Sequence, residues 1–119
     1  MIPTPRFQTG VKILLAFLLL GAVARHAVAI VGWVPPVGSP ARHLVWIAVN
    51  LGLFSGLVVE ARWLPLALVP VTLQQMTSHG WSVVQWMAGG EPFDGISLLV
   101  MVGLAGGWWL VWIQQRRAR

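Results

Sequence analysis

The chain has 119 residues, of which 57% are hydrophobic and 9% charged, and its mean hydropathy is +0.77. About a quarter of the residues of soluble domains are charged, so this composition excludes an ordinary soluble domain and indicates one integral membrane domain. The net charge of +5 is carried mostly by residues at the ends of apolar runs. This placement favours contact with the lipid bilayer, and we expect no nucleic-acid partner. The absence of cysteine excludes disulfides, thiol nucleophiles and thiolate metal sites.

Four apolar stretches follow one another along the chain, separated by short polar or proline-containing connections. A polar lead ending near Gly10 precedes the first stretch, and Ser39-Pro40 before the second is typical of a helix N-cap followed by proline at the first helical position. The sequence therefore predicts an all-α, four-helix transmembrane bundle with short loops, in a single domain covering residues 1–119. The expected spans are about 11–33, 41–59, 64–87 and 93–113.

The first stretch has an alternative interpretation as a secretory signal. Lys12, a short apolar run and the Ala-Val-Ala sequence at 27–29 match the pattern of a cleaved leader. Because the apolar run continues to Trp33, we interpret the stretch as a retained first helix.

The distribution of basic residues predicts the orientation in the membrane. Four spans place both termini on one side, and six basic residues would share that side against two, Arg25 and Arg42, on the other. This asymmetry predicts that both termini are cytoplasmic, and we expect a multi-pass protein of a bacterial inner or plasma membrane. The six are Arg6, Lys12, Arg62, Arg116, Arg117 and Arg119.

The third stretch carries most of the polar residues that lie at membrane depth. At ~100° per residue they fall within an arc of roughly 160° on a helix, with an apolar face opposite. We therefore expect the polar arc to face the other helices and the apolar face to meet lipid. The polar arc is Thr72, Gln74, Gln75, Ser78, His79, Ser82, Gln85 and Trp86. The apolar face is Leu66, Val69, Leu73, Met76, Val83, Val84 and Met87.

Counting ~1.5 Å per residue from the middle of each span places the polar groups at two depths. Asn50 and Gln75 lie near the midplane, where we expect them to contact each other, and Arg25, His26 and His79 lie about 6 Å further out. These five residues are the candidate ligand-binding residues of a polar pocket in the outer half of the bundle, above a dry inner half. Its outer mouth would carry Arg42, His43, Glu91 and Asp94.

A purely structural role stands beside this hypothesis. Arg25 can extend its long side chain to the outer lipid headgroups, and Asn50 and Gln75 can serve as hydrogen bonds between helices. Glu91 and Asp94 are typical of a loop and a helix N-terminus, where acids complement the helix dipole.

The sequence contains no recognised catalytic or metal-binding motif, so no metal is expected and the preferred function is non-enzymatic. We expect a membrane subunit or binding module, possible partners being other membrane subunits or a second copy of the chain. The alternative is a membrane redox component that binds haem or quinone through His26 and His79. A less favoured alternative is a small dimeric channel or transporter lined by Asn50, Gln75 and His79.

Two glycine pairs have the spacing that allows close helix contact, Gly52 with Gly56 and Gly103 with Gly107. We expect them to serve packing within one chain rather than self-association.

Overall fold

The structure, a computed structural model, describes residues 5–33, 38–90 and 92–117. Every regular element within these ranges is helical, which confirms the all-α prediction for this part of the chain. The elements are α1 (Pro5–Ile30), α2 (Pro40–Val58), α3 (Leu64–Gln75), a π-helical segment (Met76–Gly80), α4 (Trp81–Met87) and α5 (Gly95–Arg117). Three of them, α1, α2 and α5, are long and apolar enough to cross a membrane.

Local chemistry sets where α2 begins. Ser39 caps α2, because its Oγ accepts a hydrogen bond from the Arg42 amide at 3.3 Å and Pro40 occupies the first helical position, as the sequence predicts. The described part of α1 already includes Pro5, ahead of the expected start of the first span at about residue 11.

Asp94 fixes the start of α5. Its Oδ1 accepts hydrogen bonds from the amides of Ile96 at 3.1 Å and Ser97 at 3.0 Å. These are two of the amides that a helix N-terminus leaves without an intrahelical partner. The role predicted for this acid at a helix N-terminus is therefore confirmed.

Contacts at the two ends of the molecule show how the helices are arranged. At one end, here called the lysine end, Lys12 of α1 forms an ion pair with Glu60 after α2, and the rings of Phe7 and Trp109 meet edge to face with centroids 5.6 Å apart. At the other end, here called the histidine end, His26 of α1 lies against His43 of α2. The start of α1, the α2–α3 connection and the last part of α5 thus share the lysine end.

The apolar core is small and lies mainly toward the lysine end. Its two clusters of buried residues are Leu53, Leu64, Leu68 and Val111, and Leu15, Leu57 and Leu110. A polar contact joins α3 to α5, where Trp108 Nε1 donates to Thr72 Oγ1 at 2.8 Å.

The third stretch has the orientation expected from its pattern. The exposed fractions of Leu66, Leu73 and Met87 on the apolar face are 77%, 65% and 75%. Val83, which the 100° projection places on that face, is partly buried instead. The polar arc is partly buried: Thr72, Gln74, Gln75, Ser78, His79, Ser82, Gln85 and Trp86.

The glycine pairs differ in what they contact. A Cβ on Gly56 would lie 2.6 Å from Cη2 of Trp63, whereas a Cβ on Gly52 would meet nothing within 4 Å. In α5, Gly103 faces Leu18 of α1. Close packing within the chain is thus seen at Gly56, and Gly52 does not take part in it.

Candidate functional site

A cavity of about 510 Å³ lies between α1, α2, α3, the π-helical segment and α5. Leu15 and Ala29 of α1 both border it, and at 1.5 Å per residue they are about 21 Å apart along the helix. Most of its wall consists of aliphatic side chains and glycines. Its histidine end carries five basic or imidazole side chains: Arg25, His26, Arg42, His43 and His79.

The π-helical segment places His79 in this wall. Within the segment, just before His79, Thr77 Oγ1 donates to the Leu73 carbonyl at 2.8 Å and Ser78 Oγ donates to the Gln74 carbonyl at 3.1 Å. Hydroxyls that bond one turn back loosen and bend the helical ladder, and here they give the Leu73 and Gln74 carbonyls a second donor. Single π-helical turns inside α-helices are frequent at functional sites.

A series of hydrogen bonds through three side chains fixes the tautomer of His79. Ser97 is fully buried; its Oγ donates to Asp94 Oδ2 and lies 2.8 Å from His79 Nδ1. Because the Ser97 proton goes to the Asp94 carboxylate, Ser97 accepts the proton on His79 Nδ1. In the neutral ring, Nε2 of His79 then keeps a lone pair, so it can accept a hydrogen bond or bind a metal.

Asp94 is held in its ionised form by the same contacts. The hydrogen bond from the Ser97 hydroxyl, helped by the Ser97 and Ile96 amides, lowers the pKa of Asp94 from its usual value. An ionised carboxylate can only accept hydrogen bonds. His79 therefore donates to Ser97, and Ser97 donates to Asp94.

A second histidine contact links α1 to α2. Nδ1 of His26 lies 3.0 Å from Nδ1 of His43, and the ring centroids are 5.2 Å apart. One Nδ1 must donate and the other accept, so the contact requires that at least one of the two rings is neutral. When His26 is the donor, His43 carries its own proton on Nε2.

Four polar atoms in the cavity wall are buried without a hydrogen-bond partner: His43 Nε2, Gln74 Oε1, Gln75 Oε1 and Gln114 Nε2. Each buried polar atom that lacks a partner costs about 1–3 kcal/mol. A bound molecule with polar groups of its own would supply partners to such atoms. The sequence predicts a dry inner half, but Gln114 places a polar side chain in the cavity wall toward the lysine end.

The five predicted ligand-binding residues all border this cavity: Arg25, His26, Asn50, Gln75 and His79. The expected contact between Asn50 and Gln75 is wrong, because Asn50 Nδ2 donates instead to the Trp46 carbonyl of its own helix at 2.7 Å. The Asn50 side-chain amide is thus bonded to a carbonyl one turn earlier in α2. Gln75 Oε1 is left without a partner.

The residues predicted for the outer mouth do not all lie at the cavity. Arg42 is exposed and borders the cavity, whereas His43 is only 6% exposed and lies within the wall against His26. Asp94 caps α5 and is not among the residues that border the cavity. Glu91 lies outside the described residues.

No significant match was found to any protein-family model, curated protein or solved structure. Within residues 5–33, 38–90 and 92–117, no group of three or more His, Asp or Glu side chains is placed to hold a metal ion. In both proposed haem-ligating histidines Nδ1 is engaged, by His43 for His26 and by Ser97 for His79, so Nε2 would be the ligand atom.

Sequence reasoning missed Ser97 and the burial of His43. Ser97 follows Asp94 by three residues at the start of α5, a spacing at which a cap and a side chain of the first turn can bond to each other. That spacing was a usable signal for Ser97. For His43 the sequence offers none, because its partner His26 lies on another helix and the contact depends on how the two helices are rotated.

Proposed function

We propose that this protein is a non-catalytic membrane subunit or binding module whose ligand occupies the outer half of a four-helix transmembrane bundle. The third span would be the continuous helix from Leu64 to Met87, which joins α3, the π-helical segment and α4. Its 24 residues exceed the ~20 that a span needs. In this arrangement both termini are cytoplasmic and the histidine end lies toward the outside.

One observation carries the proposal: four buried polar atoms without partners belong to residues of one cavity wall. Packing alone does not favour such a wall, because apolar side chains of the same shape would avoid the cost. The exposed side of the third stretch is apolar, so the polar groups are gathered on the inside of the molecule. A wall of this kind is what a binding pocket requires.

A matched pair of cysteine substitutions tests the pocket, since the chain has no cysteine of its own. Ser78 borders the cavity and its neighbour Thr77 is exposed on the outside of the helix. We expect a water-soluble thiol reagent added from outside to modify Ser78→Cys, and only a lipid-soluble reagent to modify Thr77→Cys. Across the stretch, positions 79 and 82 should react before position 75. Preferential water-soluble labelling at positions 73 and 76 would overturn the proposal.

The orientation has its own test. Reporters fused after Arg6 and after Arg119 should indicate the cytoplasm, and a reporter inserted at Gly38 should indicate the outside. A cytoplasmic signal at Gly38 would move the histidine end to the inner half of the membrane.

The redox alternative is supported by the hydrogen-bond chain behind His79. Histidines that bind metals usually donate their second ring nitrogen to an oxygen that fixes the tautomer, and Ser97 with Asp94 provides this at Nδ1. Haem bound through His26 and His79 would give the purified protein a Soret absorption band that His79→Ala abolishes. A protein that takes up no haem in reconstitution would leave only quinone in this class.

A further inference from the structure

The histidine end of the cavity is positively charged. Arg25 and Arg42 border it, and guanidinium groups stay charged at any physiological pH. No Asp or Glu is among the described residues of the wall; the ionised Asp94 lies behind His79, where Ser97 and two amides of α5 donate to it. Within the described ranges the one ion pair is Lys12–Glu60 at the opposite end, so neither arginine is neutralised by a carboxylate there. This end therefore favours an anion.

His43 adds a buried polar group at the same end. It is 6% exposed, it borders the cavity, and its Nε2 has no hydrogen-bond partner. An anionic oxygen at this atom would select the tautomer in which His26 donates between the two Nδ1 atoms and the proton of His43 is on Nε2, from which it can donate to the anion. Two guanidinium groups and one imidazole N–H are a donor set suited to a carboxylate or a phosphate.

The remainder of the cavity is suited to a hydrocarbon chain. Below the arginines its wall is built mainly from small and aliphatic side chains, among them Ala22, Gly103 and Leu104. The volume of about 510 Å³ lies within the roughly 300–1,000 Å³ range of small-molecule sites, and it extends about 21 Å along α1. This is a long, mainly apolar space with its charge at one end, and the unpartnered amides of Gln74, Gln75 and Gln114 lie elsewhere in its wall.

We propose that the cavity binds a single-chain anionic lipid, with the head group held by Arg25, Arg42 and His43 and the chain between α1 and α5. The inference rests on the proposed binding function and names the class of its ligand. Because lipid tails are as apolar as the cavity wall, moving the chain from bilayer to cavity yields little free energy. The charged head group must therefore supply the selectivity, and a neutral lipid with the same chain binds weakly.

Photolabelling in nanodiscs of zwitterionic phosphatidylcholine tests the head group. The probes are a fatty acid with a mid-chain diazirine and the fatty alcohol of the same length, at equal mole fraction. We expect the acid to label the cavity residues of α1 and α5 at least tenfold more than the alcohol, because its bonds to the arginines are charge-assisted. The double substitution Arg25→Gln and Arg42→Gln should reduce acid labelling to the alcohol level. Arg6→Gln, which removes a charge from the same helix at the lysine end, should not.

A second pair of variants tests whether the hydrocarbon chain of the lipid occupies the cavity. Ala22 borders the cavity, and Ala24 of the same helix is exposed and does not border it. Ala22→Leu should reduce labelling by the acid several-fold because it fills the space for the chain, whereas Ala24→Leu should leave it unchanged. Thermal unfolding of each variant establishes that it is folded, and the comparison of acid with alcohol in the unsubstituted protein needs no variant.

Three outcomes would overturn the inference. Equal labelling by acid and alcohol, reduced in both cases by Ala22→Leu, would show a pocket without preference for an anion and would leave the proposed function intact. If inorganic phosphate suppresses the labelling with an affinity equal to that of the fatty acid, the site binds a free anion and not a lipid. Labelling spread over lipid-facing positions and unaffected by Ala22→Leu would exclude a lipid ligand, and if Ser78→Cys also resists the water-soluble reagent, the proposed function fails with it.

Discussion

Replacing Gly56 by alanine should destabilise the protein through one identifiable collision. A Cβ at this position would lie 2.6 Å from Trp63 Cη2 and 3.2 Å from Leu64 Cδ1. Optimal contacts between carbon atoms are about 3.5–4.0 Å, so the ring must retreat by about 1 Å. Trp63 is half exposed and can move outward, but Leu64 is 5% exposed and belongs to the buried core. Overpacking of this kind costs about 1–3 kcal/mol.

Gly52→Ala is the matched control, because it makes the same change four residues earlier in α2 and its Cβ meets nothing within 4 Å. Alanine is the better helix former by about 1 kcal/mol at both sites, and this gain cancels when the two variants are compared. Gly52→Ala should therefore be the more stable variant by about 1–3 kcal/mol in reversible unfolding from mixed detergent micelles. Trp63→Leu should remove most of that difference. Equal stability of the two alanine variants would refute the packing of Trp63 on Gly56.

Three further predictions use contacts elsewhere in the molecule. Glu60 has a positive φ of 53° and pairs with Lys12; Glu60→Gly should relieve ~1 kcal/mol of backbone strain, and in thermal unfolding it should be more stable than Glu60→Ala, which loses the pair and keeps the strain. Thr72→Val leaves the Trp108 indole N–H without its acceptor and should cost about 1–3 kcal/mol, but little in a Trp108→Phe background, as a double-mutant cycle would measure. Asp94 has a lowered pKa, so its stabilising effect is full above the ordinary aspartate pKa and is lost as the pH falls through the folded-state value; unfolding at decreasing pH should show a smaller loss in Asp94→Asn than in the unsubstituted protein.

Features that depend on a few neighbouring residues could be predicted from the sequence. The start of α2 follows from Ser39 and Pro40, whose capping and φ preferences act locally. The N-terminal role of Asp94 follows in the same way. The orientation of the third stretch could be predicted because its polar residues contrast with an apolar face.

Contacts between helices could not be predicted in this way. In a membrane helix the side that meets lipid and the side that packs on protein are both apolar, so periodicity does not distinguish them along α1 and α5. The rotation of α1 against α2 decides that His26 meets His43, and depth alone gave them different places. Depth likewise suggested Asn50 as the partner of Gln75, but Asn50 donates to the Trp46 carbonyl of α2 instead.

The π-helical segment shows where a fixed helical period fails. A constant 100° per residue places His79 on the same stripe as Gln75, but a π-helical turn takes up about one more residue than an α-helical turn. Residues beyond the segment are therefore rotated relative to that projection, which agrees with the partial burial of Val83. The hydroxyls of Thr77 and Ser78 bond to carbonyls one turn back, and His79 bonds to Ser97 on α5. Local hydroxyl chemistry and a contact between helices thus favour the same widened turn, and the position of His79 in the cavity wall depends on both.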